Sequence, residues 1–424
     1  MKALNVFAML VTLLALSLFF FPFEIKALPG ANTKMLMAGG SLLLILINMA
    51  RRQLPLLDKD LVELYVVSAI VSIIGLLSVV YNDTHDYTYA TYIVSMSVWL
   101  AAAYTVVYLM RTVHGSVSVR LLSNYLIVLC VCQCGLALAI DYIPVVKAFA
   151  NQMMDVTPAM EGRLYGIDAS LDIAGSRFSA VLIMIMHCCL TRNHKNSWLS
   201  LVGYICAFFF ICIVGNMISR STIIGVGLSI FYLLCVMLYR WGELDKRFLV
   251  SLLFVTISII IVVFLLCNID NQFYYRFRFG FEGFFSLVEK GRWEVSSNEI
   301  LKNMVVYPET LKTWIIGDGY FDNPYYTDPL YLGKKHGGYY MSTDIGYLRF
   351  IFYFGVVGLL AFSGFFCKCF FACINKIRSD GWLLFLLLVL NFIMWFKVST
   401  DLFLVFALFL FVDKEHQQNQ ASLN

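Results

Sequence analysis

Arginine side chains stand where a membrane protein rarely keeps positive charge, at or near the ends of long apolar segments. They are Arg163, Arg177, Arg220, Arg276, Arg278, Arg292 and Arg349. A guanidinium group is always charged, and its planar fork of donors matches the oxygens of a phosphate. An ionisable residue close to membrane depth is a functional hypothesis by default. The arginines therefore suggest a site for a fixed anion, such as a lipid phosphate or pyrophosphate.

Arg220 is the sharpest of these positions. It lies in Gly-Asn-Met-Ile-Ser-Arg-Ser, residues 215–221, between two apolar segments with almost no loop. Arginines also snorkel to lipid headgroups and anchor helix ends, and for any single arginine that structural interpretation weighs about as much as function. At Arg220 the turn is so short that we favour function. Arg177 and Arg349 each open an apolar segment.

The elements that must position these residues follow from composition. The 424 residues are 60% hydrophobic and 14% charged, and the mean hydropathy is +0.79. A soluble domain carries about 25% charged residues. The apolar runs are continuous and close to the length that crosses a bilayer as a helix. The sequence therefore predicts an all-α polytopic membrane protein, with one transmembrane domain over residues 1–424.

Twelve membrane spans are predicted: 4–22, 35–50, 61–80, 89–110, 121–140, 172–190, 198–217, 221–239, 248–267, 346–368, 382–396 and 398–412. The last two come from one apolar stretch that Lys397, Ser399, Thr400 and Asp401 interrupt, so eleven spans is the alternative. Lys397 and Asp401 stand four residues apart on one helical face. They could form an ion pair within the membrane, and we interpret them as a helix–helix pairing or a break in the span rather than a proton relay.

Lys and Arg in the short connections set the orientation. With the N-terminus inside, fifteen lie on the cytoplasmic side and seven on the other. This positive-inside bias predicts that both termini are cytoplasmic. The twelve Cys lie in apolar runs or on the predicted inner side, and we predict neither a disulfide framework nor a metal site. His187, within a span, is interpreted as a packing residue. No basic run is dense enough to suggest nucleic acid.

Residues 268–345 are predicted to form one large loop on the outer side of the membrane. The loop has eighteen Phe, Tyr and Trp in 78 residues, and a flexible linker would be poorer in aromatic residues. Turn signals such as Gly317-Asp318-Gly319 and Gly337-Gly338 divide it. We expect a compact, partly helical cap, with a helix within 292–307.

Three segments, taken in order, carry a resemblance to a known family. The first is the Ser219-Arg220-Ser221 turn. The second is Gly291-Arg292-Trp293, followed by Tyr307-Pro308 and Gly317-Asp318-Gly319. The third is Asp344-Ile-Gly-Tyr-Leu, followed by Phe354-Gly355-Val-Val-Gly358, and Arg163 with Gly166 also fits. Together they resemble the bacterial O-antigen polymerase and ligase superfamily, whose polymerase is called Wzy, over roughly residues 160–360.

One departure separates the two branches of that superfamily. Its ligases have a His-Asn pair before the Tyr-Leu, and counted back from Gly355 and Gly358 the His position holds Asp344 here. Polymerase relatives often have Ser-Asp or Thr-Asp there, as in Ser342-Thr343-Asp344. The match therefore favours a polymerase over a ligase. The family also has a Gly-Arg that opens a helix in the outer loop, and Gly291-Arg292 is expected to do the same.

The resemblance implies a GT-C-like fold and an enzyme of the bacterial inner membrane, a metal-independent glycosyltransferase without a cofactor. Its donor would be a glycan growing on undecaprenyl pyrophosphate, and its acceptor one repeat unit on the same lipid. Arginines would stabilise the departing pyrophosphate, with Arg220 and Arg177 first and Arg163, Arg292 and Arg349 next. Asp344 is the leading candidate for the general base, and His336 in Lys-Lys-His-Gly-Gly is the second.

Two other functions remain as alternatives. An O-antigen ligase is the nearest, and it would need a base at position 344 or from His336. A flippase or transporter of lipid-linked oligosaccharide is the alternative from another class, and it predicts ionisable residues inside spans and internal repeats. Here Lys397 and Asp401 alone qualify, and no repeat is evident. A chain-length regulator and a flippase are the protein partners that the resemblance suggests, beside the bilayer and the lipid-linked oligosaccharides.

Overall fold

The structure is a computed structural model, and it is helical throughout the part of the chain that it describes. It describes residues 2–25, 30–50, 58–154, 156–157, 160, 162–191, 198–239, 246–326, 331, 333 and 338–414. Within those ranges, β-type pairing is confined to two isolated bridges, Glu24 with Asn32 and Asp322 with Tyr339. The continuous apolar runs fold as helices because a helix satisfies its own backbone hydrogen bonds in lipid.

The described helices are numbered here along the chain. In chain order they are α1 Lys2–Phe20, α2 Thr33–Ala50, α3 Lys59–Asn82, α4 Tyr92–His114, α5 Val119–Tyr142, α6 Pro144–Met153, α7 Leu171–Leu190, α8 Trp198–Ile218, α9 Thr222–Tyr239, α10 Lys246–Ile269, α11 Asn271–Gly280, α12 Glu282–Lys290, α13 Ser296–Asn303, α14 Leu311–Ile315, α15 Gly346–Ile374, α16 Gly381–Met394 and α17 Phe403–Phe409. Short 3₁₀ turns occur at Pro324–Tyr326, Tyr340–Ser342 and Arg378–Asp380.

Among the described helices, nine are long and apolar enough to cross a membrane: α2, α3, α4, α5, α7, α8, α9, α10 and α15. They match nine of the predicted spans, which confirms a multi-pass helical membrane architecture. α1 covers the first predicted span, although its described apolar part is the shorter Val6–Phe20. The total of eleven or twelve spans stays a prediction, because α16 and α17 have 14 and 7 residues and extend only about 21 and 10 Å.

The chain divides into two compact units. Unit 1 lies within Met1–Met37 and Val106–Trp293, and unit 2 within Ala38–Thr105 and Glu294–Glu415. The segment 268–345, predicted as one loop, therefore contributes to both units. It carries α11, α12, α13 and α14, which confirms that it is partly helical.

Helix α7 is the core of unit 1, and it is buried continuously from Ala174 to Cys189. It is approached closely by α9 because Gly225 faces Ser179, and a Cβ on Gly225 would lie 2.7 Å from the Ser179 carbonyl oxygen. The Ser179 hydroxyl donates to the Ser221 carbonyl and accepts from the Gly225 N–H, each at 3.1 Å. Small residues with polar side chains give membrane helices this kind of contact.

His187 lies further along α7, and its ring stacks against the ring of Tyr232. Its Nδ1 is 3.0 Å from the Tyr232 hydroxyl, and both side chains are buried. The interpretation of His187 as a packing residue is confirmed.

Gly225→Ala is expected to destabilise the fold by about 1–3 kcal/mol, because the new methyl group would overlap backbone atoms of α7 that have no room to move. Gly227 is the matched control, since it is two residues along the same helix and a Cβ there meets nothing within 4 Å. Thermal unfolding of the purified protein should show a lower Tm for Gly225→Ala and an unchanged or higher Tm for Gly227→Ala. Equal Tm values for the two variants would contradict the close α7–α9 contact.

Unit 2 is organised around α15, which is broken at Phe354–Gly355. Gly355 has φ 70° and ψ −176°, a conformation that side chains disfavour. The break leaves carbonyl groups of α15 without helical donors. The N–H groups of Asp318 and Gly319 donate to the carbonyls of Phe352 and Tyr353 at 2.6 and 3.1 Å.

The same break is tied to α3. The Ser78 hydroxyl donates to the Tyr353 carbonyl at 2.6 Å. The Asn82 side-chain amide donates to the Gly317 carbonyl at 3.2 Å. The Gly-Asp-Gly turn and the Phe-Gly pair are thus one hydrogen-bonded unit. Gly317 and Gly355 both have positive φ, and a Cβ on either would overlap the backbone of the other segment. The sequence alone did not indicate that these two segments contact each other.

The chain between α16 and α17 is not helical, which corrects one premise of the sequence analysis. Lys397 and Asp401 do not share a helical face, because α16 ends at Met394 and α17 begins at Phe403. Asp401 Oδ1 accepts from the Phe403 N–H at 2.9 Å and so caps α17. Asn391 Oδ1 accepts from the Leu402 N–H at 2.9 Å. The alternative interpretation, a break in the span, is confirmed.

A second correction concerns Gly291-Arg292, which was expected to open a helix. Gly291 instead ends α12 in the left-handed conformation, with φ 67° and ψ 11°. The next helix, α13, begins four residues after Arg292, at Ser296. A glycine in the left-handed conformation is a common C-terminal signal for a helix, which is the physical reason that Gly291 ends α12.

Candidate active site

The Ser219-Arg220-Ser221 turn joins α8 to α9 in unit 1 and is held by one carboxylate. Asp172 Oδ1 accepts from the hydroxyl of Ser219 at 3.0 Å and from that of Ser221 at 2.8 Å. The turn can approach α7 because Gly175 faces the two serines, and a Cβ there would lie 2.6 Å from the Ser219 hydroxyl oxygen. Both serine side chains are buried. The two serines therefore fix the backbone that carries Arg220.

The Arg220 side chain lies against the ring of Phe279, with Cζ 4.1 Å from the ring centroid. Its Nε donates to the Phe279 carbonyl at 3.0 Å, and its Nη1 is 2.8 Å from Glu282 Oε2. Arg163 approaches the same ring, with Cζ 5.2 Å from the centroid. Two arginines distant in sequence thus meet at one aromatic ring, and we call Arg163, Arg220, Phe279 and Glu282 the Phe279 cluster.

Burial lowers the pKa of Arg220, and the positive charge of Arg163 lowers it further, whereas the Glu282 carboxylate raises it. Two positive charges held together are unfavourable in a low dielectric unless an anion accompanies them. Glu282, whose side chain is one-third exposed, provides one negative charge on the protein side. An anionic ligand could provide more.

Arg177 lies in α7 of unit 1 and is buried, with its Cζ 5.4 Å from the ring centroid of Phe21. Asp168, in the connection that precedes α7, interacts electrostatically with it. Burial raises the pKa of Asp168 from its ordinary value to about 6, although Arg177 opposes the rise. The structure therefore gives Arg177 surroundings of its own, different from those of the Phe279 cluster.

Three other arginines of unit 1 have simpler surroundings. Arg276 forms a two-pronged bond to Asp141, with Nη2 to Oδ1 at 2.7 Å and Nε to Oδ2 at 3.2 Å. Arg278 forms a similar exposed pair with Glu289. Arg292 is exposed beyond the end of α12. The Arg276 and Arg278 ion pairs join helices. Among the predicted phosphate ligands, Arg292 is the most exposed to solvent.

Among the described arginines of unit 2, Arg349 is the buried one, with a side chain only 4% exposed. Its guanidinium lies between two rings, with Cζ 3.6 Å from the Phe321 centroid and 4.0 Å from the Tyr339 centroid. Nη2 is 2.7 Å from Asp322 Oδ1, and Nη1 donates to the Ser399 hydroxyl at 2.8 Å. Such a clamped guanidinium is rigid and presents its charge in a fixed direction.

Asp344, the leading candidate for a base, belongs to the Arg349 site. Its Oδ1 lies 3.9 Å from Arg349 Nη1, and its side chain is 24% exposed. It lies two residues before the start of α15, whose first turn carries Arg349. The structure thus brings together Asp344 and Arg349 in unit 2, as it brings together Arg163 and Arg220 in unit 1. His336 lies outside the described residues.

Sequence reasoning missed the acidic partners of these arginines, namely Asp172, Glu282 and Asp322. Asp172 stands in the first turn of α7, three residues before Gly175. A carboxylate at the end of a predicted span, followed by a glycine at helical spacing, is a usable sign of a polar helix contact. Asp322 and Glu282 carried no such signal, because neither lies within a predicted span and their partners meet them only in the fold.

The fold defines a multi-pass helical membrane protein. The Phe279 cluster and the surroundings of Arg349 show that it holds arginines in specific, partly buried positions near its helix ends. Comparison of the chain with family models, with curated proteins and with solved structures finds no significant match in any of the three.

Proposed function

We propose that this protein is a polysaccharide polymerase of the bacterial inner membrane. It would transfer a glycan growing on undecaprenyl pyrophosphate onto a lipid-linked repeat unit at the periplasmic face. The observation that carries the proposal is the meeting of Arg220 and Arg163 at Phe279, because a pair of guanidinium groups at a helix-to-helix turn suits a pyrophosphate. The Ser-Arg-Ser turn that positions Arg220 is also a segment on which the family resemblance depends.

A second observation supports the same proposal. The Gly317-Asp318-Gly319 turn and the Phe354-Gly355 break, both parts of the resemblance, bind one another through backbone hydrogen bonds. Segments that are merely coincidental glycine motifs have no reason to form one unit. The Phe354–Gly355 break lies within α15, which begins two residues after Asp344 and carries Arg349 in its first turn.

The reaction needs few catalytic groups from the protein because pyrophosphate is a good leaving group. The acceptor hydroxyl oxygen forms a bond to the anomeric carbon of the donor glycan. The bond from that carbon to the pyrophosphate oxygen breaks, and undecaprenyl pyrophosphate leaves with the electron pair. A general base takes the hydroxyl proton, the role that the family resemblance gives to Asp344. The arginines of the Phe279 cluster stabilise the negative charge that develops on the departing pyrophosphate. The pyrophosphate either binds Arg220 together with Glu282 or displaces Glu282 from Arg220.

The proposal includes the placement of the chain. Both termini would be cytoplasmic, eleven or twelve helices would span the membrane in a GT-C-like arrangement, and segment 268–345 would be periplasmic. The chain-length regulator and the flippase of the same assembly route are the expected protein partners. No metal ion or cofactor takes part.

A transporter of the same lipid-linked oligosaccharide is the second candidate, and one observation favours it. Residues 395–402 interrupt an apolar stretch with non-helical backbone, and Arg349 donates to Ser399 within that interruption. Interrupted helices with polar ligands are characteristic of transport sites in membrane proteins.

The test is deletion of the gene in its host, followed by electrophoresis of the surface glycans and of the lipid-linked intermediates. We expect a single repeat unit in place of a ladder of chain lengths, and re-expression of the gene should restore the ladder. A normal ladder that stays on undecaprenyl pyrophosphate would instead identify a ligase. Intermediates trapped on the cytoplasmic leaflet would identify the transporter, and either result would overturn the proposal.

A further inference from the structure

A cleft of about 460 Å³ lies in unit 2, where the connection between α3 and α4 meets the chain around Tyr320–Pro324. Its lining includes His85, Asp86, Tyr87, Thr88, Tyr320 and Asp322. Volumes of roughly 300–1,000 Å³ are typical of small-molecule sites. Asp322 connects the cleft to the Arg349 site, because its Oδ1 is 2.7 Å from Arg349 Nη2.

The cleft is built on a fixed base. Asp86 Oδ2 accepts from the N–H of Phe321 at 2.7 Å, and Asp86 Oδ1 accepts from the Thr88 hydroxyl at 2.6 Å. The Asp86 carbonyl accepts from the Tyr353 hydroxyl at 2.7 Å. These bonds join the α3–α4 connection to the chain before Asp322 and to α15. A site formed in advance in this way loses less entropy when it binds a ligand.

The groups left for a ligand suit a carbohydrate. Tyr87 is half exposed, and a half-exposed aromatic ring offers a flat apolar face to the apolar face of a sugar ring. Among the described residues, the ring nitrogens of His85 and the hydroxyl of Tyr87 have no hydrogen-bond partner, and no described side chain bonds Asp322 Oδ2. Together they supply donors and acceptors for hydroxyl groups around such a ring.

The charge of the cleft selects among sugars. Two carboxylates, Asp86 and Asp322, line it, and no lysine or arginine is among its described lining residues. Arg349 balances Asp322 from a buried position behind the cleft wall. Partial burial and the neighbouring Asp86 carboxylate raise the pKa of Asp322, whereas Arg349 lowers it. A carboxylate-bearing sugar would therefore meet net repulsion here.

We propose that this cleft binds an uncharged sugar ring at the end of the acceptor repeat unit, stacked on Tyr87 and hydrogen-bonded to Asp322. The inference rests on the proposed polymerase function, which supplies the acceptor. Arg349 contacts Asp322 and also lies 3.9 Å from Asp344, so a sugar held by Asp322 has its hydroxyl groups close to the candidate base. The cleft thus defines which sugar presents the attacking hydroxyl.

The test is a binding measurement on the full chain in lipid nanodiscs. The probe is the repeat-unit oligosaccharide released from the surface polysaccharide of the host, free of lipid, and binding is followed by saturation-transfer NMR and calorimetry. Tyr87→Ala should raise the Kd by about tenfold, which is the upper range of what one aromatic face contributes. Tyr307→Ala is the matched control, since Tyr307 is a 64% exposed tyrosine of the same unit and does not line the cleft.

Equal Kd values for Tyr87→Ala and Tyr307→Ala would overturn the inference, as would an absence of binding to the unaltered protein. If Tyr87→Ala does not fold, Asp322→Asn keeps the shape of the side chain and should weaken binding by a similar factor. D-Glucose should displace the probe better than D-glucuronate does, and the reverse order would contradict the uncharged-sugar assignment.

These results are independent of the gene deletion. If Tyr87→Ala binds the probe normally and deletion of the gene abolishes the glycan ladder, the polymerase function is supported and the cleft is not the acceptor site. Probe binding that depends on Tyr87, together with a normal ladder, would leave a sugar site on a protein that is not the polymerase.

Discussion

Replacing Arg220 by Lys is expected to collapse the polymer to very short chains while the protein still reaches the membrane in normal amounts. Lys keeps the charge, but a single ammonium group cannot lie flat on Phe279 and at the same time bond the Phe279 carbonyl and an anion. Loss of one preorganised donor to developing negative charge typically costs about 10²–10³-fold in rate. The measurement is the modal chain length of the surface glycan, with protein levels followed by immunoblotting.

Two further variants separate a phosphate ligand from a structural arginine. Arg278→Lys is the matched control, because Arg278 is an exposed arginine of unit 1 that pairs with Glu289 and lies outside the proposed site. It should leave the chain length unchanged. Glu282→Gln removes the protein anion beside Arg220. If Arg220 binds phosphate, this variant retains polymer. If Arg220 serves only to join helices through its ion pair, Glu282→Gln and Arg220→Lys should lower the Tm equally. That result would contradict the proposed role of Arg220 as a phosphate ligand.

Asp344→Asn is expected to abolish polymer and leave single repeat units, because the amide keeps the shape of the carboxylate and cannot accept a proton. Loss of a general base typically costs about 10²–10⁴-fold. The sharpest measurement is transfer between purified lipid-linked substrates in nanodiscs, with kcat and KM determined for the acceptor. We expect the loss in kcat, with KM little changed.

Asp322→Asn provides the contrast for that measurement. Asp322 is the closer charge partner of Arg349, at 2.7 Å against 3.9 Å for Asp344. If both carboxylates served only to balance Arg349, the Asp322 variant should lose more activity than the Asp344 variant. The proposed roles give a different pattern, in which Asp322→Asn raises the KM for the acceptor and Asp344→Asn lowers kcat. Full-length polymer from the Asp344 variant would remove Asp344 from the mechanism.

The helical membrane architecture could be predicted from the sequence because it depends on local properties. A run such as Gly346–Ile374 is apolar over a length that only a helix can carry across lipid. His187 was also interpreted correctly, since a histidine within an apolar run needs a partner and Tyr232 provides it. The two predicted spans after residue 381 show what hydropathy does not predict. Hydropathy records that a stretch is apolar, but not where its backbone hydrogen bonds change partners.

The candidate site was only partly predictable. The sequence indicated which arginines were unusual, and Arg220, Arg163 and Arg349 do lie in specific polar surroundings. It indicated nothing about Glu282 or Asp322, whose partners are 62 and 27 residues away in the chain. The cleft beside Tyr87 could not be predicted for the same reason, because its wall is formed by two chain segments, around residues 85–88 and 320–324, that meet only in the fold.

By itself, then, the sequence determined the environment of the chain, the positions of most helices and the identity of the charged residues that need an explanation. Those properties follow from the transfer of side chains and backbone groups from water to lipid, which each segment undergoes regardless of its neighbours. Only the tertiary structure decided which arginines meet, which carboxylate each one faces and that Gly317–Gly319 completes the break at Gly355. Pairings of this kind depend on contacts between distant residues, and close approach is governed by single glycines whose partners the local sequence does not reveal.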